Sequence, residues 1–174
     1  MCSDPKLEAS NADKFLADMA KKFDFPICLS SAASSSIEDM AKWAGHRAWF
    51  QLYFSSSEEA SMSMVDRALK AGFETLVLTV DVPQVSRRVR DLRNGFNFPF
   101  SMTPRAFLDF ATHPRWSLRT LTAGAPSPKN FVDKDGNSKF NRSGNRAGAN
   151  WDFFQLLRKK WPGKLIVKGV TSTA

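Results

Sequence analysis

Cysteine and histidine are scarce, two of each in 174 residues. Cys2 stands near the start and Cys28 lies inside an apolar run, so a disulfide framework is excluded, a reducing compartment follows, and Cys28 is expected to be a small buried residue. His46 and His113 lack the spacing of zinc ligands. Long apolar runs are missing too: none reaches the roughly 18 residues that mark a membrane-spanning helix. MCSDPKLEAS lacks the basic start and apolar stretch of a secretory signal, and the chain is expected in the cytoplasm. Acid is outnumbered, 17 Asp and Glu against 25 Lys and Arg, for a net charge of +8. That balance permits a nucleic acid, an anionic membrane surface or a small acidic ligand as partner.

What is present suits one domain with a real core, 43% of the residues being hydrophobic. FPICLS (25–30) is followed by SSSIEDMAKWAG, where Ser35 with Glu38 reads as a capping box, Ile37, Met40, Ala41 and Ala44 share a helical face, and Gly45 is the stop. AWFQLYF (48–54) is followed by a second such helix, with Ser56 and Glu59 as the box and Gly72 as the stop. TLVLTV (75–80) and KLIVKGV (164–170) are continuous apolar runs, the mark of parallel strands covered by helices, so an α/β fold follows. A long insertion (96–148) separates these two strands. Thr103 and Pro104 open a helix there that Pro114 interrupts, and 122–150 has the composition of a mobile loop. Helical periodicity returns at WDFFQLLRKKWPG, capped by Asn150.

Each strand turns polar toward its carboxyl end, at Ser30 and Ser31, Gln51 and Tyr53, Thr79 and Asp81, and Lys168. In a (β/α) barrel or an open parallel sheet those ends form the ligand site. Every one of these residues has an ordinary alternative. Asp81 before Val82-Pro83 suits a turn, Lys168 suits a snorkelling edge residue, Ser30 and Ser31 suit a loop, and Tyr53, the only tyrosine beside fifteen phenylalanines, suits a half-buried aromatic. The arginines of SRRVRDLRNGF suit a solvated face. Singly these alternatives hold; jointly they leave the shared polarity of the strand ends unexplained.

WFQLYF, LVLTVDVP, SRRVRDLRNGF and LIVKGV, in this order and spacing, together with LSSAASSSIED, resemble the FMN-dependent α-hydroxy acid dehydrogenase and oxidase family over residues 13–174. THPRWSL further resembles its bacterial lactate and mandelate dehydrogenase branch. The resemblance implies a partial (β/α)8 TIM barrel holding the second to fifth strands, with FMN as cofactor and an L-2-hydroxy acid as substrate. It implies that Arg88 pairs with the substrate carboxylate through a bidentate fork and that Tyr53 binds near the substrate hydroxyl. By the same resemblance Asp81 supports a catalytic histidine, Lys168 meets the flavin's N1 and C2 carbonyl edge, and Ser30, Gln51 and Thr79 bond the rest of the ring. Ser86 stands where the family usually has glycine.

The resemblance also implies what 174 residues do not contain: the family's catalytic histidine, a second arginine and the phosphate-binding glycines belong to later strands, and neither His46 nor His113 matches the base. The expected protein is therefore a fragment or subunit of an FMN-dependent oxidoreductase, inactive alone and completed by a downstream half chain or as a homo-oligomer. A noncatalytic half-barrel acting in binding or assembly is the alternative. A nucleic-acid-binding domain is the weaker third, since no aromatic-basic binding motif accompanies the charge. The insertion, with eight Lys and Arg against three Asp, is expected to contact an anionic membrane at the inner face, as the dehydrogenase branch does.

Overall fold

The computed structural model describes residues 12–55, 57–82, 89–93, 102–123, 128–131 and 148–171. Its sheet has four parallel strands in the order β1 (Ile27–Ser30), β2 (Ala48–Tyr53), β3 (Thr75–Thr79) and β4 (Lys164–Lys168). Helices α1 (Ala12–Phe23), α2 (Ile37–Ala44) and α3 (Glu58–Lys70) occupy the first half of the chain. Helix α4 (Val89–Arg93) precedes the insertion, α5 (Pro104–Thr112) and α6 (Pro114–Ala123) lie in it, and α7 (Trp151–Lys160) leads into β4. Two compact units result, one of Met1–Val85 with Ser127–Ala174, the other of Ser86–Pro126.

Strand alternation sets the layers of the first unit. Phe50 and Leu52 of β2 and Leu76 and Leu78 of β3 point to one face and are almost wholly buried. They meet Ile37, Met40 and Ala44 of α2, Met64, Val65 and Ala68 of α3, and Phe153, Leu157 and Trp161 in and after α7 in one core. Burying each large side chain there contributes on the order of 1.5–3 kcal/mol. The opposite face carries Cys28, Ser30, Gln51, Tyr53, Val77, Thr79, Ile166 and Lys168, the alternate residues of each strand. Cys28 is exposed there rather than buried, because β1 alternates and only Leu29 of its central pair faces the helices; partial desolvation still pushes its thiol above the ordinary cysteine value.

The helix stops at Gly45 and Gly72 fall as expected, with φ of 58° and 87°. The caps lie one residue later than the sequence suggests. Ser36 accepts from the Asp39 amide, and Ser57 from the Ala60 amide. Ser35 instead donates to Asp13 Oδ2 at 2.6 Å, tying the β1–α2 loop to α1, and Ser56 lies outside the described residues. Thr103 and Asn150 cap α5 and α7 as expected, through the amides of Ala106 and Phe153. Helix α1 was not apparent from the sequence: it buries Ala17 and Ala20 while Phe15, Leu16 and Phe23 stay exposed, the reverse of the usual apolar stripe.

Candidate functional site

The register brings the polar strand ends into rows. Ser30 pairs with Gln51, and Gln51 with Val77; one step further along, Tyr53 pairs with Thr79 and Thr79 with Lys168. Paired residues of neighbouring strands share a face, so Ser30, Gln51, Tyr53, Thr79 and Lys168 converge at the carboxyl end of the open face. The side chains are linked as well. Gln51 Nε2 donates to Thr79 Oγ1 at 2.8 Å, and Lys168 Nζ donates to Asp81 Oδ2 at 2.8 Å. The Asp81 hydrogen bond holds the Lys168 ammonium above the ordinary lysine range, against some desolvation, with Tyr53 adding a smaller electrostatic contribution.

Backbone bonds fix where these groups stand. Ser31, fully buried, accepts the Tyr53 amide on its hydroxyl at 3.2 Å and donates its own amide to the Gln51 carbonyl at 2.8 Å. Ser30 Oγ accepts from the Ala32 amide at 3.2 Å, which starts the loop toward α2. The Val80 amide donates to the Lys168 carbonyl at 3.0 Å, carrying the β3–β4 pairing past the last ladder residue. Gly169 follows at φ 106°, and a Cβ there would lie 2.8 Å from Asp81 Cγ. Glycine is needed where β4 leaves the sheet against Asp81.

The Asp81–Lys168 pair escaped the sequence because two residues 87 apart meet only through strand order. Asn130 escaped it for a similar reason. Buried in the later part of the insertion, it accepts the Ile37 amide on Oδ1 at 3.0 Å and donates from Nδ2 to the Ser35 carbonyl at 3.0 Å. Its own carbonyl accepts from Arg67, whose guanidinium grips Glu38 through two bonds of 2.8 Å. Arg88 lies outside the described residues, as does most of 122–150. His46 is exposed in the turn before β2, and His113 is exposed at the end of α5, its ring beside the Asp109 carbonyl.

The model of one protein family, the FMN-dependent dehydrogenases, matches residues 5–174. The chain belongs to that family. Among its relatives, (S)-mandelate dehydrogenase of Pseudomonas putida is 41% identical over 165 residues, covering 92% of this chain and 42% of that protein. A putative L-lactate dehydrogenase of Mycobacterium tuberculosis is 37% identical over 155 residues, covering 83% and 36%. The crystal structure of the monotopic membrane protein (S)-mandelate dehydrogenase superposes with a TM-score of 0.83 at 39% identity, over 95% of this chain and 46% of that one. The chain thus spans less than half the length of these relatives. Its sheet is a partial (β/α) barrel with four consecutive parallel strands.

The family cofactor is FMN, and the donor set at these strand ends suits a flavin ring. An isoalloxazine edge alternates carbonyl acceptors, ring nitrogens and one N–H. The row presents an ammonium at Lys168, hydroxyls at Ser30 and Thr79 and an amide at Gln51, which can answer both kinds of group. Among the described residues no group of three or more His, Cys, Asp or Glu could hold a metal ion.

Proposed function

We propose that the carboxyl end of the sheet is the flavin and substrate side of an oxidoreductase that converts L-2-hydroxy acids of the lactate and mandelate class to 2-oxo acids. The 174 residues alone do not turn over. The observation that carries this reading is the row Tyr53, Thr79, Lys168 with its two side-chain bonds, Gln51 to Thr79 and Lys168 to Asp81.

When bound, FMN takes up the two electrons that the hydroxy acid loses. Lys168 presents a fixed cation to the ring edge where negative charge collects, and Ser30, Gln51 and Thr79 orient the ring by hydrogen bonds. Tyr53 bonds the substrate near its hydroxyl, and Arg88 holds the substrate carboxylate by a planar, charge-assisted fork. Asp81 stabilises the protonated form of the base. That base is not among these side chains: proton removal needs a group within hydrogen-bond reach of the substrate, and His46 precedes β2 at the opposite end of the strand. The base and the phosphate donors belong to the rest of the barrel, beyond these 174 residues.

A peripheral membrane role is part of the same proposal. Phe107, Leu108, Trp116, Leu118 and Leu121 are all more than half exposed on α5 and α6, and Arg105 and Arg115 share those helices. No described helix is long and apolar enough to cross a membrane, and the relative named above is a monotopic membrane protein. An apolar face with basic neighbours suits an anionic surface at the cytoplasmic side.

The test is L-lactate- and L-mandelate-dependent dye reduction by the purified chain, alone and mixed with a polypeptide carrying the remaining strands of a family member. Turnover in the mixture only is expected. Robust turnover by the chain alone contradicts the proposal.

A further inference from the structure

An exposed lysine ordinarily samples many rotamers, since fixing its four-carbon stem costs conformational entropy. Lys168 is half-exposed, yet it is met by a carboxylate 87 positions earlier in the chain, at 2.8 Å. Three features of the fold build that meeting. Strand β3 runs beside β4 in the register Thr79 to Lys168. The Val80 amide bonds the Lys168 carbonyl, so the two chains stay paired up to Asp81. Gly169 at φ 106° removes the side chain that would strike Asp81, whose backbone nitrogen would be 2.9 Å from such a Cβ.

We propose that Asp81 is a positioning residue for Lys168, occupying one of the three ammonium donors so that the remaining two are directed at the open face where the ring is expected. This role is separate from supporting a base, and it rests on the flavin reading above. The raised titration of the ammonium accords with it. Among the described residues, the charged and titratable groups acting on Lys168 are Asp81 and, more weakly, Tyr53.

The lysine Nζ signals of the 15N-labelled chain provide the measurement, with Lys168 assigned by its loss in Lys168→Arg. In Asp81→Asn the Lys168 signal should titrate at lower pH than in the native chain, and Asp81→Glu should restore much of the shift. Addition of millimolar FMN should move the native Lys168 signal, and half of that movement should need about two- to fivefold more FMN in Asp81→Asn, the range of an exposed ion pair. Identical titrations, or identical FMN midpoints, in native and Asp81→Asn proteins would overturn the positioning role. A native Lys168 signal indifferent to FMN would instead overturn the flavin reading, and the pH titrations of the same samples tell the two failures apart.

Discussion

Arg88 and Lys168 carry one positive charge each on side chains of different geometry, and the proposed chemistry uses the difference. Arg88→Lys, in the completed assembly, replaces a planar fork by a point charge. Hydroxy acid binding should weaken about 10- to 100-fold, the value of one charged hydrogen bond, with flavin content unchanged; unaltered substrate affinity removes the carboxylate role. Ser31 acts one step back from Tyr53. Its hydroxyl is the acceptor of the Tyr53 amide in a fully buried position. Ser31→Ala should cost about 1–3 kcal/mol through the unpaired amide, measured by denaturant unfolding. Tyr53 is the only tyrosine, so its ring resonances report locally: a shift is expected, and unmoved resonances at unchanged stability count against this support. Residues of this kind were half legible in advance. The polar type at each strand end was visible, whereas the partner of each group depended on strand order and on a buried serine that the sequence offers merely as a loop residue.

Elements are tied together by bonds that sequence patterns do not show. Continuous apolar runs made β1 to β4 readable, and glycine stops made the ends of α2 and α3 readable. Adjacent serines gave each helix start several equivalent caps, and the backbone turn selected Ser36 and Ser57. Helix α1 packs through Ala17 and Ala20 and leaves Phe15, Leu16 and Phe23 of its apolar stripe exposed, so the stripe does not mark the packed face. The clamp of Asn130, Arg67 and Glu38 joins the later part of the insertion to α2 and α3. The Arg67 hydrogen bond holds the Glu38 carboxyl below the ordinary glutamate value. Its stabilisation is complete above that ordinary value and is lost as pH falls through the lowered one. Glu38→Gln should therefore cost under about 1 kcal/mol near neutral pH, given its partial exposure, and nothing in acid once both proteins carry a neutral group. A difference that persists in acid would contradict the ion pair. Limited proteolysis should spare the clamped 128–131, and early cleavage there contradicts the clamp.

At the scale of the molecule, one face of a four-stranded parallel sheet is covered by helices and the other carries the polar rows. The fold class and the gathering of polar residues at one end of the sheet followed from the sequence, since both depend on local runs and their order. The division into two units did not, because it depends on how the insertion packs on itself. The hairpin of α5 and α6 should retain the chain on anionic vesicles more than on neutral ones, and replacing Leu118 and Leu121 by serine should weaken retention severalfold. Equal retention on both vesicle types contradicts the membrane contact.

The central claim is that flavin is addressed at the carboxyl end of this sheet. Strand β4 supplies its own control, since Lys164 and Lys168 stand at its two ends, point to the same face and are both exposed. Flavin absorbance per assembled complex is to be measured for native, Lys164→Met and Lys168→Met proteins. The account predicts loss of retained flavin, or of its reduction by hydroxy acid, in Lys168→Met with Lys164→Met unchanged. Equal behaviour of the two variants would contradict it.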